Sequence, residues 1–269
     1  MTRLVLPFLV WVTHRKLIAR LTRREIAQTY RGSLLGLAWA LITPLIMLAV
    51  FTFIFSIVFQ ARWGTELDGG HGQFALVLFC GLIVFRFFAE CINRAPNLML
   101  ENPSYIKKVV FPLEAMAWVS VGSALFNMAA SLIMLVLGYV VLNGPPPWTL
   151  VLTPLVLAPF ILLVLGLIWV LSSIGVFLRD LHQVVGVLVT VTMFLCPIFY
   201  PIEAVPETFR VFIYMNPLTF IIEQLRAVAL FGRLPDFALL GAYAVAAWGV
   251  ALVGLWWFAR TRKGFADVV

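Results

Sequence analysis

Five long stretches of this chain contain no charged side chain: 32–61, 115–142, 146–178, 183–202 and 237–259. A sixth, 72–93, is interrupted only by Arg86 and Glu90. A helix needs roughly 20 mainly apolar residues to cross the hydrocarbon core of a bilayer, so each stretch is long enough to span. Backbone amides in lipid must be bonded within their own segment, which makes the stretches helices rather than strands. The expected fold is an all-α integral membrane protein. Its six transmembrane helices are placed at 34–61, 72–93, 112–142, 148–178, 183–202 and 237–259.

Composition leaves little room for anything else. Hydrophobic residues make up 63% and charged residues 12%, against roughly a half and a quarter in ordinary globular chains. The amino-terminal 33 residues are too short to build a core alone, so a separate soluble catalytic domain is excluded. The net charge of +7 is distributed by side, not gathered into a nucleic-acid patch. Fourteen lysines and arginines lie before the first span, between the second and third, between the fourth and fifth, and after the sixth. The intervening loops hold four: Arg62, Arg210, Arg226 and Arg233. The positive-inside rule converts that asymmetry into an orientation with both termini cytoplasmic. Cys80, Cys91 and Cys196 sit in or beside apolar runs and read as packing residues. The apolar run Leu4–Val12 follows Arg3 but leads into His14, Arg15 and Lys16 instead of small residues, so it is read as retained and not as a cleaved signal.

Residues 1–33 mix apolar and basic side chains. Trp11, Leu17, Ile18 and Leu21 can share one helical face with Lys16, Arg20 and Arg23 opposite, the pattern of an amphipathic helix lying in the membrane interface. Glu25 intrudes on its apolar side. On the cytoplasmic side, 94–111 contains Asn102, which can cap a short helix opening at Pro103; Pro112 then begins the third span with Glu114 in its first turn. The external segment 203–236 holds two apolar stretches too short to span, 209–215 and 218–222, with Pro206 and Pro217 at helix-start positions and Asn216 poised to cap. A re-entrant helical hairpin fits best, beside the plainer reading of an amphipathic loop on the surface.

No enzyme signature is present. The chain lacks a P-loop, and none of its four lysines follows a glycine. His14, His71 and His182 are scattered, so no catalytic or metal site is assigned. Arg86 and Glu90, spaced four apart, share a helix face. Arg86 lies about 21 Å along its helix at 1.5 Å per residue, in the inner half. An intramembrane ion pair of structural purpose is expected, since charges at this depth need partners. The 23 phenylalanines include Phe51 and Phe55 in the outer half of the first span, and Phe199 and Tyr200 stand near the end of the fifth. As lipid-facing and belt residues they need no special explanation, and for any single ring that is the favoured reading; as channel lining they would offer flat faces for sugar rings.

Taken in order, these pieces resemble the permease subunit of type-2 ABC exporters, in the bacterial branch that exports lipid-linked O-antigen, with capsule and teichoic-acid exporters as relatives. The resemblance is carried by 30–39 (YRGSLLGLAW) with Pro44, 102–114 (NPSYIKKVVFPLE), 177–180 (FLRD), 196–201 (CPIFYP), and Asn216-Pro217 with Arg226. It implies the type-2 ABC exporter fold, a homodimer in the bacterial inner membrane, and two copies of a separate ATPase that holds ATP and magnesium. This subunit itself would be non-catalytic and without a cofactor. It also implies that the interfacial helix and the segment Pro103, Ser104, Tyr105, Ile106 and Lys107 contact the ATPase, and that the first and fifth spans line the channel with the hairpin at its outer mouth. Two other readings remain beside lipid-linked polysaccharide export: a small-molecule exporter permease, and a membrane-embedded enzyme of envelope glycan or lipid synthesis.

Overall fold

The computed structural model describes residues 7–54, 72–106 and 111–268, and among them every regular element is helical. The longer helices are α1 (Pro7–Thr29), α2 (Trp39–Phe51), α3 (Gly72–Arg94), α5 (Ala115–Asn143), α6 (Thr153–Phe177), α7 (Leu181–Leu195), α9 (Pro217–Ala229) and α10 (Phe237–Thr261). Shorter ones are α4 (Pro103–Ile106), α8 (Glu207–Met215) and α11 (Phe265–Val268). The expected Phe55 and Lys107 positions lie outside the described residues.

Five segments are long and apolar enough to cross a bilayer: Gly36–Ile54, Gln73–Asn97, Ala115–Asn143, Trp148–Phe177 and Phe237–Gly264. The segment expected as a span over 183–202 differs. Its helix, α7, has 15 residues, about 22 Å at 1.5 Å per residue and short of a roughly 30 Å hydrocarbon core. Cys196 ends it in an extended conformation (φ −91°, ψ 143°). The cause is local, because the residue before a proline is pushed out of the helical region and Pro197 cannot donate. The third span also starts later than Pro112, since residues 111–114 turn before α5 begins.

α3 is the axis of the bundle, packed by α2, α5, α6, α7 and α9. α6 and α10 form the most extensive helix pair, and glycines set their separation. A Cβ at Gly166 would meet the Val250 backbone at 2.7 Å, and one at Gly254 would meet the Gly166 carbonyl oxygen at 2.3 Å. Small residues bring helix backbones close where lipid supplies no hydrophobic drive for association. Gly175 is packed equally tightly on the carbonyl of Pro96, in the 3-10 turn after α3.

One end of the bundle is tied by ion pairs between distant elements. α1 bends where His14 leaves helical geometry and lies along the start of α5, burying Val10 and Ile18 and setting Trp11 at 6.5 Å from Trp118. Glu25, out of place on an amphipathic wheel, pairs with Arg94 at the end of α3. Glu114 is buried before α5 and pairs with Arg262 beyond α10. Phe265 of α11 packs edge-on to Phe258 at 5.4 Å.

Replacing Gly254 by alanine is expected to cost about 1–3 kcal/mol through overpacking and to lower the thermal midpoint in detergent. Gly249→Ala on the same helix, where an added Cβ meets nothing within 4 Å, should hold or raise the midpoint, because alanine is the better helix former.

Candidate transport site

At the other end of the bundle the chain after α7 folds back as a helical hairpin, α8 and α9. Asn216 accepts the Leu218 amide at 3.0 Å and caps α9, which begins at Pro217. The apolar face of α9 then packs on α3 and α6. What holds it there is Arg226, read from sequence only as a loop cation. Its side chain is wholly buried and donates to the Val77 carbonyl of α3 at 3.1 Å, to the Ile198 carbonyl at 3.3 Å and to the Glu223 carboxylate at 2.7 Å. A Cβ at Gly81 would stand 3.0 Å from the Arg226 guanidinium, so glycine on α3 makes the room. The signal in the sequence was an acid and a base three residues apart inside an apolar stretch. Thr149 reinforces the arrangement by donating to the Val228 carbonyl at 2.7 Å.

Arg86 and Glu90 face the same cavity between α2, α3 and α5. They do not form the direct ion pair expected of them: among the described residues no contact within 4.0 Å joins the two. Glu90 instead accepts Asn127 Nδ2 at 2.9 Å, and the oxygen of Asn127 accepts the Tyr30 hydroxyl at 2.9 Å. Burial first, and the Glu90 carboxylate second, push the Tyr30 phenol above its ordinary pKa. Asn127 is the residue sequence reasoning missed. A lone asparagine in an apolar run carries no periodic signal.

Of the aromatics singled out, Phe51 and Phe199 are half-buried and pack against the core. Tyr200 is half-buried and donates its hydroxyl to the Phe194 carbonyl at 2.8 Å. The fully open rings on the same segments are Phe53 and Phe194. α2 and α7 both expose broad apolar faces, with Leu45, Ile46 and Val50 on one and Val187, Leu188 and Val191 on the other.

The segment before α5 places Pro103 and Ser104 in the open and half-buries Tyr105 and Ile106 against the core. Tyr105 stacks on Phe111 with centroids 4.4 Å apart. Asn102 does not use its side chain as the expected cap. It turns back to donate to the Leu98 carbonyl at 2.9 Å, while its backbone carbonyl accepts the Tyr105 amide. Among the described residues, no group of three or more histidine, cysteine or acidic side chains gathers to hold a metal.

A helical bundle with five segments apolar and long enough to span, closed at one end by a helical hairpin, is a multi-pass membrane protein. Residues 16–230 match the family model described as ABC-2 type transporter, and the chain belongs to that family. It is 29% identical over 263 residues, 95% of this chain and 96% of the other, to the O-antigen export system permease protein RfbA of Myxococcus xanthus. It is 23% identical over 258 residues, 94% and 95% of the two chains, to the protein of the same name from Klebsiella pneumoniae. Similarity extends to the polysialic acid transport protein KpsM of Escherichia coli, 21% over 245 residues and 89% and 91% of the two chains.

Arg226→Leu should remove the tie from α9 to the Val77 and Ile198 carbonyls and leave the Glu223 carboxylate without its charge partner, at a cost of about 1–3 kcal/mol. Earlier thermal unfolding and faster protease cleavage within 203–236 are expected. Arg226→Lys should recover only part, because an ammonium does not reproduce the planar fork of donors.

Proposed function

We propose that this chain is the channel-forming permease of an ATP-driven exporter that carries a lipid-linked, O-antigen-like polysaccharide out of the cytoplasm across the bacterial inner membrane. The observation that carries this reading is similarity to O-antigen export permeases along 95% of the chain. The chain itself supplies no nucleotide-binding motif, so ATP and magnesium are assigned to a separate ATPase, two copies of which flank a homodimer. The open apolar faces of α2 and α7 suit contact with lipid or with a second copy.

We place both termini in the cytoplasm. The basic residues of α1, Arg94, and Arg260 to Lys263 lie at one end of the bundle, joined there through the Glu25–Arg94 and Glu114–Arg262 pairs, and that concentration of positive charge favours the cytoplasmic side. The sixth crossing is completed by α7 together with the chain that follows it, 196–202, backed by the hairpin. Non-helical backbone at that depth is tolerated where protein encloses it, and Cys196, Pro197 and Ile198 are all buried. The exposed Pro103–Ser104 turn, with Tyr105 and Ile106 behind it and Lys107 beyond, is the part of the cytoplasmic end assigned to the ATPase.

The reading is tested by deleting the gene and following the glycan. Export predicts that surface polysaccharide disappears while its lipid-linked form accumulates inside. Unchanged surface glycan with loss of small-molecule efflux would favour the drug-exporter reading instead. Tyr105→Asp is expected to break the stacking on Phe111 and to lower export several-fold in a reconstituted complex while ATP hydrolysis continues. Substituting alanine for two of Phe51, Phe55, Phe199 and Tyr200 should slow export or change exported chain lengths, with assembly and basal ATPase activity kept. A sliding polysaccharide is better served by weak stacking on rings than by hydrogen bonds to each sugar.

A further inference from the structure

Every residue of α3 from Phe74 to Phe88 is buried except Arg86, and Glu90 opens to the same side one turn later. Both line a cavity of about 210 Å³ with Tyr30, Trp39, Thr43 and Asn127. Arg86 feels the Glu90 charge one turn away but makes no hydrogen bond or ion pair within 4.0 Å among the described residues, so its donors are open to a polar ligand in the cavity. The chemistry of the lining limits what that can be. A phosphate would gain Arg86 but face the Glu90 carboxylate, and the next cation, Arg94, already serves Glu25 and Glu101. An acyl chain would leave the guanidinium, the carboxylate and the Thr43 hydroxyl unsatisfied.

A neutral ring bearing several hydroxyls matches the set. Arg86 presents donors in a fork, and Glu90 has accepting capacity beyond the single bond from Asn127. The Tyr30–Asn127–Glu90 chain holds the carboxylate in place, so it is positioned before any ligand arrives. Trp39, 39% exposed at the rim, offers an aromatic face for the apolar C–H side of a ring. The volume is below the roughly 300–1,000 Å³ of drug-sized sites, which suits one ring and not an oligosaccharide.

We infer that this cavity is a saccharide subsite, which takes one neutral polyhydroxylated ring of the transported glycan between α2, α3 and α5. The inference rests on the export reading above and adds to it a place where the permease holds a sugar by hydrogen bonds, apart from the sliding contacts of the channel aromatics.

The test uses the full chain in cells that make the glycan, with a compact alkyl-diazirine photoreactive amino acid placed at Thr43, small enough to leave room for a ring. Illumination is expected to give an adduct that stains for carbohydrate, and the combined Arg86→Gln and Glu90→Gln substitutions should reduce it at least several-fold at equal amounts of membrane-inserted chain. Should the double variant fail to insert, Trp39→Ala against Trp39→Phe provides the same comparison, with the adduct lost in the first and kept in the second. The probe at Val245, exposed on α10, should give adducts free of carbohydrate. An adduct at Thr43 with phospholipid only, with a second copy of the chain only, or none at all overturns the subsite. So does a carbohydrate adduct indifferent to all of these substitutions. If surface glycan still depends on the chain in that case, the export role stands; if it does not, the export reading is what has failed.

Discussion

The burial of α3 governs the rest of this structure. A helix enclosed by five others has no water to satisfy a polar group, so each polar atom it carries must be met by protein or be placed where a cavity opens. Near Val77 it is the buried Arg226 guanidinium that needs acceptors: it shares the Val77 carbonyl with the helix's own amide, and Gly81 leaves the space. Lower on the same helix the polar residues Arg86 and Glu90 are turned toward the cavity, where Asn127 and Tyr30 reach in. At its end Arg94 emerges to pair with Glu25 and Glu101. The hairpin and the cavity thus both border this one helix, and α1 is tied to its end.

The ion pairs follow a common pattern. Glu25 with Arg94 joins α1 to α3, and Glu114 with Arg262 joins the start of α5 to the chain after α10. Each links elements far apart in sequence at one end of the bundle, with the arginine partly exposed and the carboxylate held inside. Mid-bundle association depends on shape instead, through the glycine contacts of α6 with α10. Close backbone approach provides dispersion contacts that need no aqueous driving force.

The helices α2 and α7 are placed differently from α3. Both hold apolar residues outward. In a bilayer such faces need no protein cover, because acyl chains are as apolar as leucine. Between the two regimes lies the α2–α3–α5 cavity, with one wall on the rigid axis and another on the helix least committed to it.

The class of protein, an all-helical membrane bundle, was legible from charge-free length alone, because lipid allows a spanning backbone only one local solution of this kind. The same physics made the helix starts at Pro103 and Pro217 readable, and the Asn216 cap with them. It did not make the end of α7 readable, although Pro197 was visible: hydropathy continues past Cys196 while the backbone does not. What sequence could not settle was partnership across the fold. Arg226 looked like a loop charge and is a buried tie, Glu25 looked like a flaw in an amphipathic face and is one half of an ion pair, and Glu90 finds Asn127 where Arg86 was expected. Local chemistry decides whether a segment enters the membrane, but a buried donor is matched to its acceptor by packing between helices up to about 150 residues apart in sequence, and only the tertiary structure brings those groups together.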